Sequence, residues 1–137
     1  MVGYCGIDCL ECRAYKATLE GDEKGLQEMA ETFGKGVLRA HDWVCLGCGP
    51  QNQHLLATYC DSCKIRLCAA TKGVFNCAEC ERFERCAALQ EFLGTESETL
   101  ARTMGCLRAS YRARRGRPAS RSTAGAVRQR RQTCAKS

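Results

Sequence analysis

The chain lacks any apolar run near the roughly 18 residues of a membrane helix, and its N-terminus has no basic region leading into an apolar stretch of signal-peptide length. These absences exclude a spanning helix and make the cytoplasm the expected location, with no membrane partner. Also missing are a serine–histidine pairing, a phosphate-binding loop and a pair of facing carboxylates, so no common catalytic constellation is visible and a non-enzyme is favoured. The length and alternating βα pattern of a large α/β barrel are absent too, which sets aside radical chemistry on such a barrel. Acid is missing from the end of the chain: residues 111–137 hold nine Lys+Arg and no Asp or Glu, whereas residues 1–110 hold 12 Lys+Arg and all 15 Asp+Glu. The net charge of +6 is therefore a body of −3 joined to a tail of +9.

What the sequence has in excess is cysteine, 13 in 137 residues. That frequency marks either a disulfide scaffold or a metal scaffold. In a reducing cytoplasm thiols stay reduced, and an odd total does not pair off completely, so metal ligation is the expectation. A chain this short buries a thin core, a shortage that metal staples offset. The expected organisation is a cysteine-rich metal-binding domain over 1–110 and a basic, disordered tail over 111–137, because apolar periodicity stops after Tyr111.

Leu26, Met29, Ala30 and Phe33 recur at i, i+3, i+4 and i+7, predicting a helix that Asp22 caps and Gly34 stops. Leu10, Ala14, Ala17 and Thr18 share a face of a second helix over 10–19, ended by Gly21. Residues 34–59 read as loop. Cys60-Asp-Ser-Cys63 reads as a turn feeding a short helix that stops at Gly73. A second copy follows 17 residues on as Cys77-Ala-Glu-Cys80, with a helix through Phe83, Cys86, Ala87, Leu89 and Leu93 that ends at Gly94. Leu100, Met104 and Leu107 predict a last helix over 96–108. The expected fold class is a small, metal-stapled, mainly α domain with irregular Cys-x2-Cys knuckle loops and little or no sheet.

Four pairs have the Cys-x2-Cys spacing: Cys9/Cys12, Cys45/Cys48, Cys60/Cys63 and Cys77/Cys80. A tight turn of this kind brings two sulfurs to one ion, and structural zinc takes four ligands, so four pairs suffice for two sites. In Cys45-Leu-Gly-Cys48-Gly the glycines can supply the positive φ that a knuckle needs. The expected grouping sets Cys60, Cys63, Cys77 and Cys80 round one zinc and Cys9, Cys12, Cys45 and Cys48 round another, with interleaving by Cys5, Cys68 or Cys86 as the alternative. These three thiols either pack as small apolar groups or build a third site, with His41 or His54 as a further ligand. For both histidines an ordinary surface or core role is favoured. Cys106 and Cys134 have no near partners in sequence and read as bystanders. The candidate metal ligands are thus Cys5, Cys9, Cys12, Cys45, Cys48, Cys60, Cys63, Cys68, Cys77, Cys80 and Cys86, and the expected cofactor is two or three zinc ions. The opening Cys5-x3-Cys9-x2-Cys12 keeps an iron–sulfur cluster as the alternative, although the familiar ferredoxin runs are absent.

The order Tyr4-Cys-Gly-Ile-Asp-Cys-Leu-Glu-Cys-Arg-Ala-Tyr15, then Cys45-Leu-Gly-Cys48, then Tyr59-Cys-Asp-Ser-Cys-Lys-Ile-Arg-Leu-Cys68, then Cys77-Ala-Glu-Cys80 and Cys86, resembles the family catalogued as domain of unknown function 3795. The resemblance runs from about residue 3 to about residue 93. It implies a small cysteine-rich prokaryotic protein that binds zinc, and it implies no particular reaction. Where family members often carry proline after the third cysteine and before the last, this chain has Arg13 and Arg85, which bears on local turn geometry. The basic tail lies outside the resemblance.

Three functions follow. The preferred one is a structural or interaction module with a protein partner of unknown identity. The second is nucleic-acid binding through residues 111–137, whose positive charge suits phosphate but which offer no aromatic side chain beyond Tyr111 for base stacking. The third is a redox or metal-handling enzyme with thiolates at an incomplete site, where Asp8 and Glu11 would carry protons, although surface roles are favoured for both. No feature of the sequence sets an oligomeric state.

Overall fold

Cys12, Cys63 and Cys86 each stand in extended backbone immediately before a helix, so the knuckles and the helices are one continuous construction. The computed structural model describes residues 1–116. Its helices are α1 (Arg13–Glu20), α2 (Glu23–Phe33), α3 (Thr58–Asp61), α4 (Lys64–Lys72), α5 (Ala87–Thr95) and α6 (Glu98–Arg115). Short 3-10 turns occupy Cys9–Glu11, Ala40–Trp43, Cys77–Glu79 and Phe83–Arg85. Among the described residues there is no sheet, only an isolated antiparallel bridge between Val2 and Asp8. The expectation of a mainly α fold with little or no sheet therefore holds.

Both α1 and α4 end on a glycine in the left-handed region, Gly21 at φ 66° and Gly73 at φ 64°, whose N–H groups close on the last carbonyls. Knuckle, helix and glycine thus recur as a unit at 9–21 and again at 60–73. The repeat expected between Cys60 and Cys77 is less complete. After Cys80 the chain makes a second 3-10 turn, and α5 begins only at Ala87, once Cys86 has passed. Gly94 lies inside α5 and does not stop it.

Asp22 caps α2 by accepting from the Gly25 N–H at 2.9 Å, and Leu26, Met29 and Ala30 are buried as their periodicity predicts. Phe33 departs from that face. It is 55% exposed and lies against Trp43, ring centroids 6.0 Å apart. Leu10, expected on α1, sits in the preceding 3-10 turn and is exposed, because the helix cannot begin until Cys12 has left extended geometry.

The core divides in two. Ala14, Ala17, Leu26, Met29, Ala30, Trp43, Cys45 and Ala57 pack in one half, and Tyr4, Ala69, Cys77, Ala78, Phe83, Leu89, Leu93 and Met104 in the other. Helix α6 closes the second half through fully buried Met104 and continues to Arg115, past the boundary expected at 110/111. Its basic end is held to the body: Arg112 reaches Glu84 at 2.7 Å and Arg115 reaches Glu81 at 3.3 Å. The remainder of the expected tail, Cys134 included, lies outside the described residues. No helix among the described residues is long and apolar enough to cross a membrane.

Candidate functional site

The N-terminal segment is a closed loop. Gly3 N–H donates to Ile7 C=O at 2.8 Å, Cys9 N–H donates to Met1 C=O at 2.8 Å, and Asp8 accepts from both the N-terminal ammonium and the Leu10 N–H. Cys5 lies near the tip of that loop and Cys9 at its base. Asn76, itself buried, ties the loop to the second half of the core: its Nδ2 donates to Gly3 C=O at 2.8 Å while its Oδ1 accepts from Ala78 N–H. Cys77 N–H adds a bond to Tyr4 C=O at 2.9 Å.

The Cys45 knuckle is fixed from another direction. Cys45 N–H donates to Thr18 Oγ1 at 3.0 Å, and Thr18 in turn donates to Ala14 C=O, so this cysteine is registered against α1. Asn52 Nδ2 donates to both Gly47 C=O and Leu55 C=O, closing the loop after the knuckle. Gly47 takes φ +84°, as expected of the knuckle, whereas Gly49 takes no positive φ; a Cβ at Gly47 would lie 2.6 Å from Met1 Cε and 3.3 Å from Cys9 Sγ. At Gly3 a Cβ would come within 2.9 Å of Cys48 Sγ. Both positions leave room for sulfur that any side chain would take away.

These constraints bring seven thiols, Cys5, Cys9, Cys12, Cys45, Cys48, Cys60 and Cys63, round one cavity of about 130 Å³. Tyr15, Tyr59, Ile65, Phe92 and Arg66 complete much of its wall. The sulfurs interact directly. Hydrogen bonds from Cys60 to Cys45 and Cys48 raise the pKa of Cys60 and lower those of its two acceptors, and a further bond from Cys9 raises Cys9 while lowering Cys48. Burial pushes Cys5 up to about 11 and also raises Tyr59. Within the wall, Cys45 and Cys48 are thus favoured as thiolates, while Cys60 and Cys9 are held as thiols.

The expected grouping of ligands differs from this arrangement. Cys60 and Cys63 join Cys9, Cys12, Cys45 and Cys48 at the cavity, apart from Cys77 and Cys80. Cys68, Cys77, Cys80 and Cys86 lie outside the cavity wall. Cys77 is raised to about 12, first by burial and then by negative charge on Cys5, Cys86, Cys80 and Cys68, and Lys72 Nζ approaches Cys80 Sγ at 3.6 Å. Neither histidine lines the cavity: His41 is exposed beside Asp42, and His54 is an exposed loop residue. Asp8 is engaged in the loop described above and Glu11 pairs with Lys16 at 3.0 Å on the surface.

Arg66 was not singled out by spacing, yet it is 7% exposed and lines the cavity. Its signal in the sequence is its place on α4 three residues after Cys63, because long helical side chains lean back toward the helix N-terminus. In donor type and number the cavity suits a soft metal, since all-thiolate sets serve zinc and iron–sulfur centres. In placement, no three His, Cys, Asp or Glu side chains among the described residues already converge as a group that would hold a metal ion.

The sequence model of the family described as "Protein of unknown function (DUF3795)" matches residues 1–91. The chain belongs to that family. No curated protein and no solved structure matches it.

Proposed function

We propose that this protein is a metal–thiolate module whose cavity of seven cysteines binds zinc and whose role is structural and interactive. One observation carries the reading: seven thiols drawn from three separate stretches of chain, 5–12, 45–48 and 60–63, line a single cavity. Buried thiols packed merely as small apolar groups would have no need to be gathered from so many segments. Cys9, Cys45, Cys48 and Cys60 are the first choice of ligands, with Cys5, Cys12 and Cys63 within the same wall. A bound zinc would supply a cross-link between the two halves of a divided core, and thiols must lose their protons to serve as its ligands. The residues of the chain do the rest: Thr18 and Asn52 fix the Cys45 knuckle, Gly3 and Gly47 leave space for sulfur, and apolar walls restrict water.

The second reading is an iron–sulfur centre, favoured by the excess of thiols over the four that a single tetrahedral ion uses. Nucleic-acid binding is weaker, because Arg112 and Arg115 at the start of the basic segment are engaged with glutamates of the body. Elemental analysis of the anaerobically purified full chain, with its visible absorption spectrum, separates these readings. Bound zinc with a colourless solution is expected. Iron with sulfide and a brown colour transfers the proposal to a redox centre, and a metal-free folded protein ends it.

A further inference from the structure

Arg66 is a buried guanidinium whose hydrogen bonds go mainly to neutral groups. Nε donates to Cys60 C=O at 2.8 Å, Nη2 to Asp61 C=O at 3.2 Å, and Nη1 to Gln53 Oε1 at 2.9 Å. Gln53 carries the connection onward, donating to Gly49 C=O at 3.1 Å. The guanidinium therefore spans from the backbone of the Cys60 knuckle to the turn that follows Cys48. The one carboxylate that Arg66 pairs with, Asp61 at 3.4 Å, has a side chain 77% exposed and so compensates little of a buried charge. A cation taken out of water requires an opposite charge nearby, and Arg66 lines the same cavity as the seven thiols.

We propose that Arg66 is the counter-cation and positioning residue of the thiolate centre, holding Cys60 in register with Cys48 and offsetting the negative charge that four or more thiolates bring to a metal. The inference rests on the metal–thiolate reading and adds to it a residue that is not a ligand. Four thiolates round one zinc leave a net charge of −2, which a fixed guanidinium beside them stabilises more than water-excluding apolar walls can. Arginine suits the task because it stays protonated and its planar fork serves carbonyl oxygens on one side and charge on the other.

The test compares full-length wild type, Arg66→Lys and Arg66→Gln by zinc competition against a chromophoric chelator. Circular dichroism at each zinc concentration lets a variant that is unfolded without metal still be read by the zinc needed to fold it. Arg66→Gln is expected to lose about 10–100-fold in zinc affinity, as supporting residues round a metal commonly do. Arg66→Lys keeps the charge but not the fork and is expected to recover most of that loss. Cobalt in place of zinc should give a shifted visible spectrum in Arg66→Gln and a spectrum near wild type in Arg66→Lys. Equal affinities in all three proteins overturn the inference, and so does an equal loss in both variants, which would mark a packing role with no use of charge. Absence of zinc binding by wild type defeats the underlying reading, and that result is distinct from either pattern among the variants.

Discussion

In the cavity, contacts among the thiols lower Cys45 and Cys48 and raise Cys60 and Cys9, whereas Cys77 is raised by burial and then by like charge from Cys5, Cys86, Cys80 and Cys68. The first arrangement divides protons unevenly, so some thiols are pushed toward the thiolate and others away from it. The second pushes its buried member away from ionisation, up to about 12. Since a thiol must be deprotonated to bind metal, closeness of sulfurs alone is a poorer preparation than a network in which one sulfur already serves another as acceptor. The difference also follows the fold: the cavity gathers knuckles from three segments, while Cys77, Cys80 and Cys86 come from one short stretch of consecutive 3-10 turns.

The largest expected effect breaks or secures that contrast. Cys60→Ala should remove metal from the cavity, and because a structural zinc contributes on the order of 10–16 kcal/mol, most of the fold's stability should go with it. Cys68→Ala, at an exposed thiol outside the cavity, should retain the cavity's metal and melt near wild type. Metal content and thermal melting of the two variants provide the check, and equal losses would erase the distinction between the two sets of thiols. Next in size is Met104→Ala, in the half of the core that holds Cys77. Met104 is fully buried, so the cavity left behind should cost about 2–5 kcal/mol in a urea titration while metal content stays unchanged.

Gly47→Ala should cost about 1–3 kcal/mol for a left-handed conformation that alanine resists. Its added Cβ would displace the Met1 side chain and press on Cys9 Sγ behind it, so zinc affinity should fall together with stability, unlike the Met104 variant. The smallest effect concerns the ion pairs of Glu84, outside the cavity wall. A hydrogen bond from Arg108, helped by the charges of Arg108 and Arg112, holds the Glu84 carboxyl below its ordinary value of 4.5. A group lowered in this way stabilises the folded chain fully above 4.5 and loses that contribution as pH falls through the lowered value. Glu84→Gln should therefore melt slightly below wild type at neutral pH, with the gap closing on acidification. A gap that persists in strong acid would assign the effect to packing.

Much of the fold is legible in the sequence. Leu26, Met29 and Ala30 marked the buried face of α2, Asp22 its start, and Gly21 and Gly73 the ends of α1 and α4, because caps and helical periodicity act over a few residues. The split of the last knuckle from its helix was not legible. Phe83 through Leu93 looks continuous in period, yet the chain leaves helical geometry at Cys86, and the bonds that fix this region come from afar, with Arg108 of α6 donating to Ala78 C=O at 3.1 Å. Arg66 is hidden in the sequence for a similar reason: a charged residue on a short helix ordinarily faces water, and only the folded chain puts it against the cavity.

The sequence by itself determined the inventory: thirteen cysteines, eight of them in four Cys-x2-Cys knuckles, the helices that follow, and a body whose charge is opposite to that of its last residues. Each is a local property, set by spacing, capping and composition. Which knuckles share a cavity was decided only by the tertiary structure. That choice depends on contacts between residues far apart in the chain, Asn76 with Gly3, Cys45 with Thr18 and Arg66 with Gln53, and no Cys-x2-Cys spacing encodes its partner.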